Sequence, residues 1–223
     1  MLLFHIIVGS ILLLSGIGAL SFTKGSVKHR WSGNVFFIAL LCMTSSAVIL
    51  SDSPTMPLLS FYYGTTAWAV VLRKEKSTGL FEICAMLLIA YVSFDLFYFL
   101  ATTTDTPQTF KVIFTIYAYI AALSALLDLN MIVRGGLSGK HRMVRHAWRT
   151  CFALLGAVMS FSANTSDNWP SFIDSNTLIY IMIVILFYWL IRVLFSNWYD
   201  HIKVMLGENL LTKKLMLYRR TLK

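Results

Sequence analysis

Residues 2–22 read LLFHIIVGSILLLSGIGALSF, and residues 23–30, TKGSVKHR, follow at once. A bilayer core about 30 Å thick takes about 20 predominantly apolar residues in a helix, and this run has that length without an Asp, Glu, Lys or Arg. Its cations come only afterwards, at Lys24, Lys28 and Arg30. A secretory leader carries its basic region before the apolar run and a small-residue cleavage pattern behind it. The stretch is therefore expected to be a first membrane helix, with the short amino terminus outside.

The same alternation continues outward from this segment. Further apolar stretches run from Gly33 to Leu50, Pro57 to Leu72, Leu80 to Ala101, Phe110 to Val133, Thr150 to Ala163 and Asn176 to Phe195. With the first they make seven expected spans, of which the third and sixth, at about 16 and 14 residues, are short for a crossing and allow a re-entrant reading. Helices are expected throughout, because an open backbone in hydrocarbon leaves amide groups unpaired and no ten-residue alternation suggests a barrel. The expected fold is thus an all-α, polytopic transmembrane bundle over residues 1–196, followed by a basic amphipathic cytoplasmic tail over 197–223. The composition agrees: 57% of the 223 residues are hydrophobic and only 13% are charged, well outside the soluble average.

Orientation follows from the cations. All but one of the 19 Lys and Arg residues fall on alternate connections, at the inner end of the seventh segment (Arg192) or in the tail, the exception being Lys111. The opposite connections carry Asp52, Asp105, Asp167 and Asp174. By the positive-inside rule the basic side is cytoplasmic. The formal charge of +9 is then topological and directed at anionic headgroups, and nucleic-acid binding is not expected. In the tail, Leu206, Leu210, Leu211, Leu215 and Leu222 interleave with Lys213, Lys214, Arg219 and Arg220, a pattern suited to an interfacial helix or a docking surface. Cys42, Cys84 and Cys151 lie in or beside apolar segments without a C-x-x-C pair, so zinc and disulfide readings do not apply and the thiols are expected to pack as small apolar groups.

The chemically loaded feature is a repeated tripeptide, Lys28-His29-Arg30 before the second span and Lys140-His141-Arg142 before the sixth. The second continues through Arg145, His146, Trp148 and Arg149. If it begins the sixth helix, Arg142, Arg145 and Arg149 share a face at i, i+3 and i+7, with His146 one turn from Arg142. Guanidinium forks match phosphate or carboxylate oxygens, and imidazoles carry protons or bind metals. Lys, Arg and Trp at a membrane boundary also follow from topology alone.

Two stretches, Gly25 to Gly33 with its central His29-Arg30, and His141-Arg142 through Trp148-Arg149, resemble those of uncharacterised bacterial multi-pass membrane proteins. The resemblance implies a bacterial inner-membrane location and a shared cytoplasmic surface of His29, Arg30, His141, Arg142, Arg145 and His146. It implies no activity.

Within the apolar segments the ionisable residues are His5, Asp95 and Asp128, with Glu82 and Arg192 near inner ends. A charge in a span costs about 2.5–3.5 kcal/mol on insertion scales, so each should face a partner. By depth, Asp95 is expected to meet His5, and Asp128 to meet Arg192 or a loop histidine, with Tyr91, Tyr98 and Asn130 completing the bonds. Interhelical glue and a proton pathway both fit.

Three functions fit the pattern. One binds an anionic lipid headgroup or small anionic solute at the His/Arg surface. One is a redox protein holding haem b or a quinone, with His29 and His141 or His146 as axial ligands. One is a non-enzymatic subunit that anchors or assembles a larger membrane complex or a homo-oligomer. Nucleotide-binding, zinc-protease and serine-hydrolase motifs do not occur, and no catalytic residue is assigned.

Overall fold

A computed structural model describes residues 1–51, 53–104, 106–165 and 177–195. These form helices α1 (Leu2–Ser21), α2 (Val27–Leu50), α3 (Thr55–Leu72), α4 (Leu80–Thr102), α5 (Gln108–Val133), α6 (Gly139–Thr165) and α7 (Thr177–Leu194), with no strand among the described residues. The tail over 197–223 and the acidic residues Asp52, Asp105, Asp167 and Asp174 lie outside them. Four helices, α1, α2, α4 and α5, are long and apolar enough to cross a membrane.

Helix boundaries follow local chemistry. Ser26 caps α2 by accepting a hydrogen bond from the His29 amide at 3.2 Å, which satisfies a first-turn donor. Pro54 and Pro107 stand just ahead of α3 and α5, where a missing N–H costs nothing. The Glu82 carboxylate reaches back to accept from the Gly79 amide at 2.7 Å, closing the start of α4. At the same end the α3–α4 and α5–α6 connections are tied by the Lys76 amide donating to the Leu137 carbonyl at 3.0 Å. Gly136 sits there at φ +112°, where an added Cβ would come within 2.6 Å of the Ser77 nitrogen.

Packing places α3 and α6 at the centre. α1 pairs with α2 and α4 with α5, while α3 lies against α2, α4 and α6, and α6 against α1, α3 and α7. The core is built around Leu12, Leu40, Tyr62, Tyr63, Ile89 and Leu154. Gly64 makes this possible: a Cβ there would lie 1.8 Å from the Leu40 side chain, and small residues of this kind let membrane helices approach closely.

The outward faces are apolar. Leu14, Ile38, Leu87, Phe94, Leu126 and Val184 are all more than half exposed, far more contiguous hydrocarbon than a water-soluble surface shows. By contrast α3 and α6, the central pair, are not among the four helices long and apolar enough to cross a membrane, and α6 is the more polar of the two. The third segment begins at Thr55, two residues before the expected Pro57, and spans 18 residues. The sixth begins at Gly139, so that the whole basic stretch is its first turns, and spans 27 residues.

Candidate functional site

The site grows from one face of α6. The i, i+3, i+7 spacing carries Arg142, Arg145 and Arg149 up the helix toward α3 and α5. Arg142, nearest the end, donates from Nε to the Val70 carbonyl at 2.5 Å and from its guanidinium to the Arg73 carbonyl. Both carbonyls lie at the end of α3, where orphaned acceptors and the helix dipole favour a cation. Arg142 also lies 3.8 Å from Glu75.

One turn further in, Arg145 Nη1 stands 2.8 Å from Asp128 Oδ1. Arg149 Nη2 reaches the same oxygen at 2.5 Å and donates to the Tyr62 hydroxyl at 2.7 Å. That hydroxyl in turn donates to Asp128 Oδ2 at 2.7 Å. The Arg149 guanidinium also lies over the Tyr62 ring, 4.8 Å from its centroid, adding cation–π attraction. Asp128 and Arg149 are 0% exposed and Arg145 7%.

Two guanidinium groups thus share one carboxylate in a dry interior. A buried charge is tolerated when paired and fully hydrogen-bonded, and here the pairing falls short by one negative charge. Arg145 Nε and Arg149 Nε and Nη1 have no hydrogen-bond partner among the described residues.

The cluster also divides two cavities. Toward the basic ends lies a cleft of 40 Å³ whose wall includes Thr66, Arg73, Lys74, Glu82, Arg142 and Arg145. Arg73 is held at 3.0 Å from Glu82, the one acid among four cations in this lining. Toward the opposite ends of the same helices lies a cavity of 510 Å³, walled by aromatic and aliphatic groups including Tyr63, Phe110, Phe114, Tyr117, Phe152 and Ile179. Along α5 and α6 the residues Asp128 and Arg149 fall between the two linings, while Tyr62 on α3 adjoins Tyr63 of the outer one.

The first basic stretch ends differently. His29 Nδ1 donates to the Ala19 carbonyl at 2.9 Å, Lys24 Nζ donates to the Ala19 and Leu20 carbonyls at 2.8 Å, and Arg30 donates to the Gly25 carbonyl at 3.1 Å. These groups close the end of α1. Lys24 also lies 4.1 Å from the Trp189 ring centroid, and loss of water around the ammonium lowers its pKa from the ordinary lysine value. On α6, His146 Nδ1 donates to the Ala67 carbonyl at 2.9 Å, while His141 is exposed. No histidine lines either cavity, and no cluster of three or more His, Cys, Asp or Glu suited to a metal occurs among the described residues.

The expected partners of the intramembrane charges need correction. His5 Nδ1 is bonded to the Ser46 hydroxyl at 2.8 Å and Asp95 accepts from the Thr55 hydroxyl, so these two do not pair. Asp128 takes Arg145, Arg149 and Tyr62; Arg192 instead approaches the Tyr188 hydroxyl at 2.9 Å. Tyr91 and Tyr98, 51% and 61% exposed, and Asn130, also exposed, lie away from the cluster. The arginine strip was expected to form a headgroup-facing surface; its upper two members are core residues instead. Tyr62 is the member that sequence reading missed. The signal was present in Tyr62-Tyr63 and Thr65-Thr66, polar groups inside an apolar segment.

Comparison with protein families, with curated proteins and with solved structures finds no match for this chain.

Proposed function

We propose that the chain is a seven-span protein of a bacterial inner membrane, amino terminus outside, that binds an anionic group in the inner cleft. The group is a phosphate or carboxylate, carried by a lipid headgroup or a small solute. The observation that supports this reading is the sharing of Arg145 between cleft and core, with an unpaired Nε beside a carboxylate already claimed by two arginines. An anion in the cleft supplies the missing negative charge, and charge-assisted bonds to guanidinium are about twice as strong as neutral ones. Asp128 then acts as the internal stand-in, holding Arg145 in place between binding events. The two basic stretches that resemble those of uncharacterised bacterial multi-pass proteins belong to the same reading, the second as binding element and the first as a cap on α1.

Binding of inorganic phosphate and of a short-chain anionic phospholipid to the detergent-purified protein tests it. Arg145→Gln and Lys74→Glu are each expected to weaken binding at least tenfold. Competition by phosphate alone identifies a solute site, and binding of the lipid alone a headgroup site. Equal affinity in both variants and the parent protein for either probe overturns the reading. For orientation, a reporter active only in the cytoplasm should work after Lys223 and be silent near Asp105; the reverse pattern overturns the topology.

A further inference from the structure

We infer that the 510 Å³ outer cavity is a hydrocarbon site that takes one acyl chain of a membrane lipid, entering between α5 and α7. The inference rests on the membrane-spanning part of the proposed function and is independent of an anion in the inner cleft. Its volume lies within the range of ligand pockets, about 300–1,000 Å³. Its walls include rings and thioethers, Phe110, Phe114, Tyr117, Phe152, Met56 and Met159 among them.

Three of the polar side chains in the lining are turned to internal partners, the serines Ser60, Ser160 and Ser162 being its other polar groups. The Tyr63 hydroxyl is bonded to Ser124 at 2.9 Å, the Tyr117 hydroxyl donates to Met159 Sδ at 2.9 Å, and the Asn164 amide donates to the Ser160 carbonyl at 2.8 Å. A bound water requires two to four polar partners, and this lining offers such sites sparsely. Hydrocarbon needs none, and mobile thioethers adapt to an irregular chain.

The position supplies the route. α5 contributes Phe110, Ile113 and Phe114 to one side and α7 contributes Ile179 to another, while the main packing of these helices runs α4 on α5 and α6 on α7. At the rim, Phe110 is exposed on the cavity face of α5, and Ile179 is followed by the exposed Tyr180 on α7. A chain moves from the bilayer into the cavity without crossing water.

The test uses the full chain reconstituted in phosphatidylcholine vesicles containing a lipid with a photoactivatable group midway along one chain. After irradiation, adducts are mapped by peptide mass spectrometry. Adducts are expected on Phe114, Phe152 or Met159 as well as on the outward-facing Ile38 and Leu126. Ser160→Phe, at the exposed rim, should reduce the cavity adducts severalfold and leave Ile38 and Leu126 unchanged; Gly156→Phe, deeper in, should do the same. Cavity labelling no greater than that of core residues Leu12 and Ile89, or undiminished in both variants, overturns the inference. Rapid reaction of Met159→Cys with a water-soluble maleimide, at the rate of an exposed loop thiol, also overturns it. Phosphate binding measured on the same Ser160→Phe preparation reports separately on the inner cleft. Absence of adducts at Ile38 and Leu126 overturns the spanning reading and this inference together.

Discussion

The two basic stretches share a tripeptide, and the structure gives them different depths. Around Lys28-His29-Arg30 three side chains end on backbone nearby: Ala19, Leu20 and Gly25 accept from His29, Lys24 and Arg30. Around Lys140-His141-Arg142 the pattern starts alike, with Arg142 donating to carbonyls at the end of α3 and His146 to the Ala67 carbonyl further along that helix. It then continues through Arg145 and Arg149 into the core. The difference is the helix. The first stretch meets α2 at its opening turn and is followed by apolar residues, whereas the second supplies two more arginines at helical spacing on the buried face. Capping the end of a helix is a task for a terminus; neutralising a carboxylate in the middle of a bundle requires cations placed further along.

The largest expected effect breaks this comparison at its deep end. Asp128→Ala leaves two buried guanidinium groups without a carboxylate and should cost about 3–5 kcal/mol, measured by unfolding in mixed detergent. A change below about 1 kcal/mol would mean that the core does not depend on this charge. Replacing the set together, Asp128→Leu with Arg145→Met and Arg149→Met, should recover most of that loss, because a well-packed apolar set is often as stable as a buried ion pair. Such a triple variant should be stable yet fail to bind the anion.

Next comes Arg149→Lys, which keeps the charge but puts a shorter ammonium in place of the Nη2 that donates to both Tyr62 and Asp128. A loss of about 1–3 kcal/mol is expected from the hydrogen bond that the ammonium leaves unmade. Full stability in this variant would show that charge alone holds the cluster.

The shallow ends should behave alike. His29→Ala and His146→Ala each remove one bond to a helix carbonyl and should each cost about 1 kcal/mol, with anion binding changed less than twofold. A much larger effect of His146→Ala on binding would give that imidazole a role beyond its bond to Ala67. Smallest of all, Lys28→Ala, at an exposed position, should stay within about 0.5 kcal/mol of the parent and leave binding intact.

Much of the fold was legible because hydropathy and length are local properties. The run at Leu2–Ser21 reads as a helix wherever it is placed, and the apolar segments at Leu80–Thr102 and Gln108–Val133 likewise. The shared face of the three arginines follows from periodicity once the basic stretch begins α6, a start that the apolar segment from Thr150 does not itself reveal. Helix α3 was harder to bound, since its tyrosines and threonines dilute the apolar signal; those same residues are buried in the bundle, where Tyr62 meets Asp128 and Tyr63 meets Ser124.

The sequence by itself determined that the chain is a string of apolar helices with basic ends, and that an expensive carboxylate at Asp128 required a partner. Only the tertiary structure decided which partner. Tyr62, Asp128 and Arg149 come from three helices and meet because α3 and α6 pack at the centre while α5 projects Asp128 toward them. Lipid chains are as apolar as a helix face, so hydropathy does not say which face turns inward. Close packing does: Gly64 admits Leu40, the central helices settle against each other, and the side chains that can satisfy one another are enclosed together.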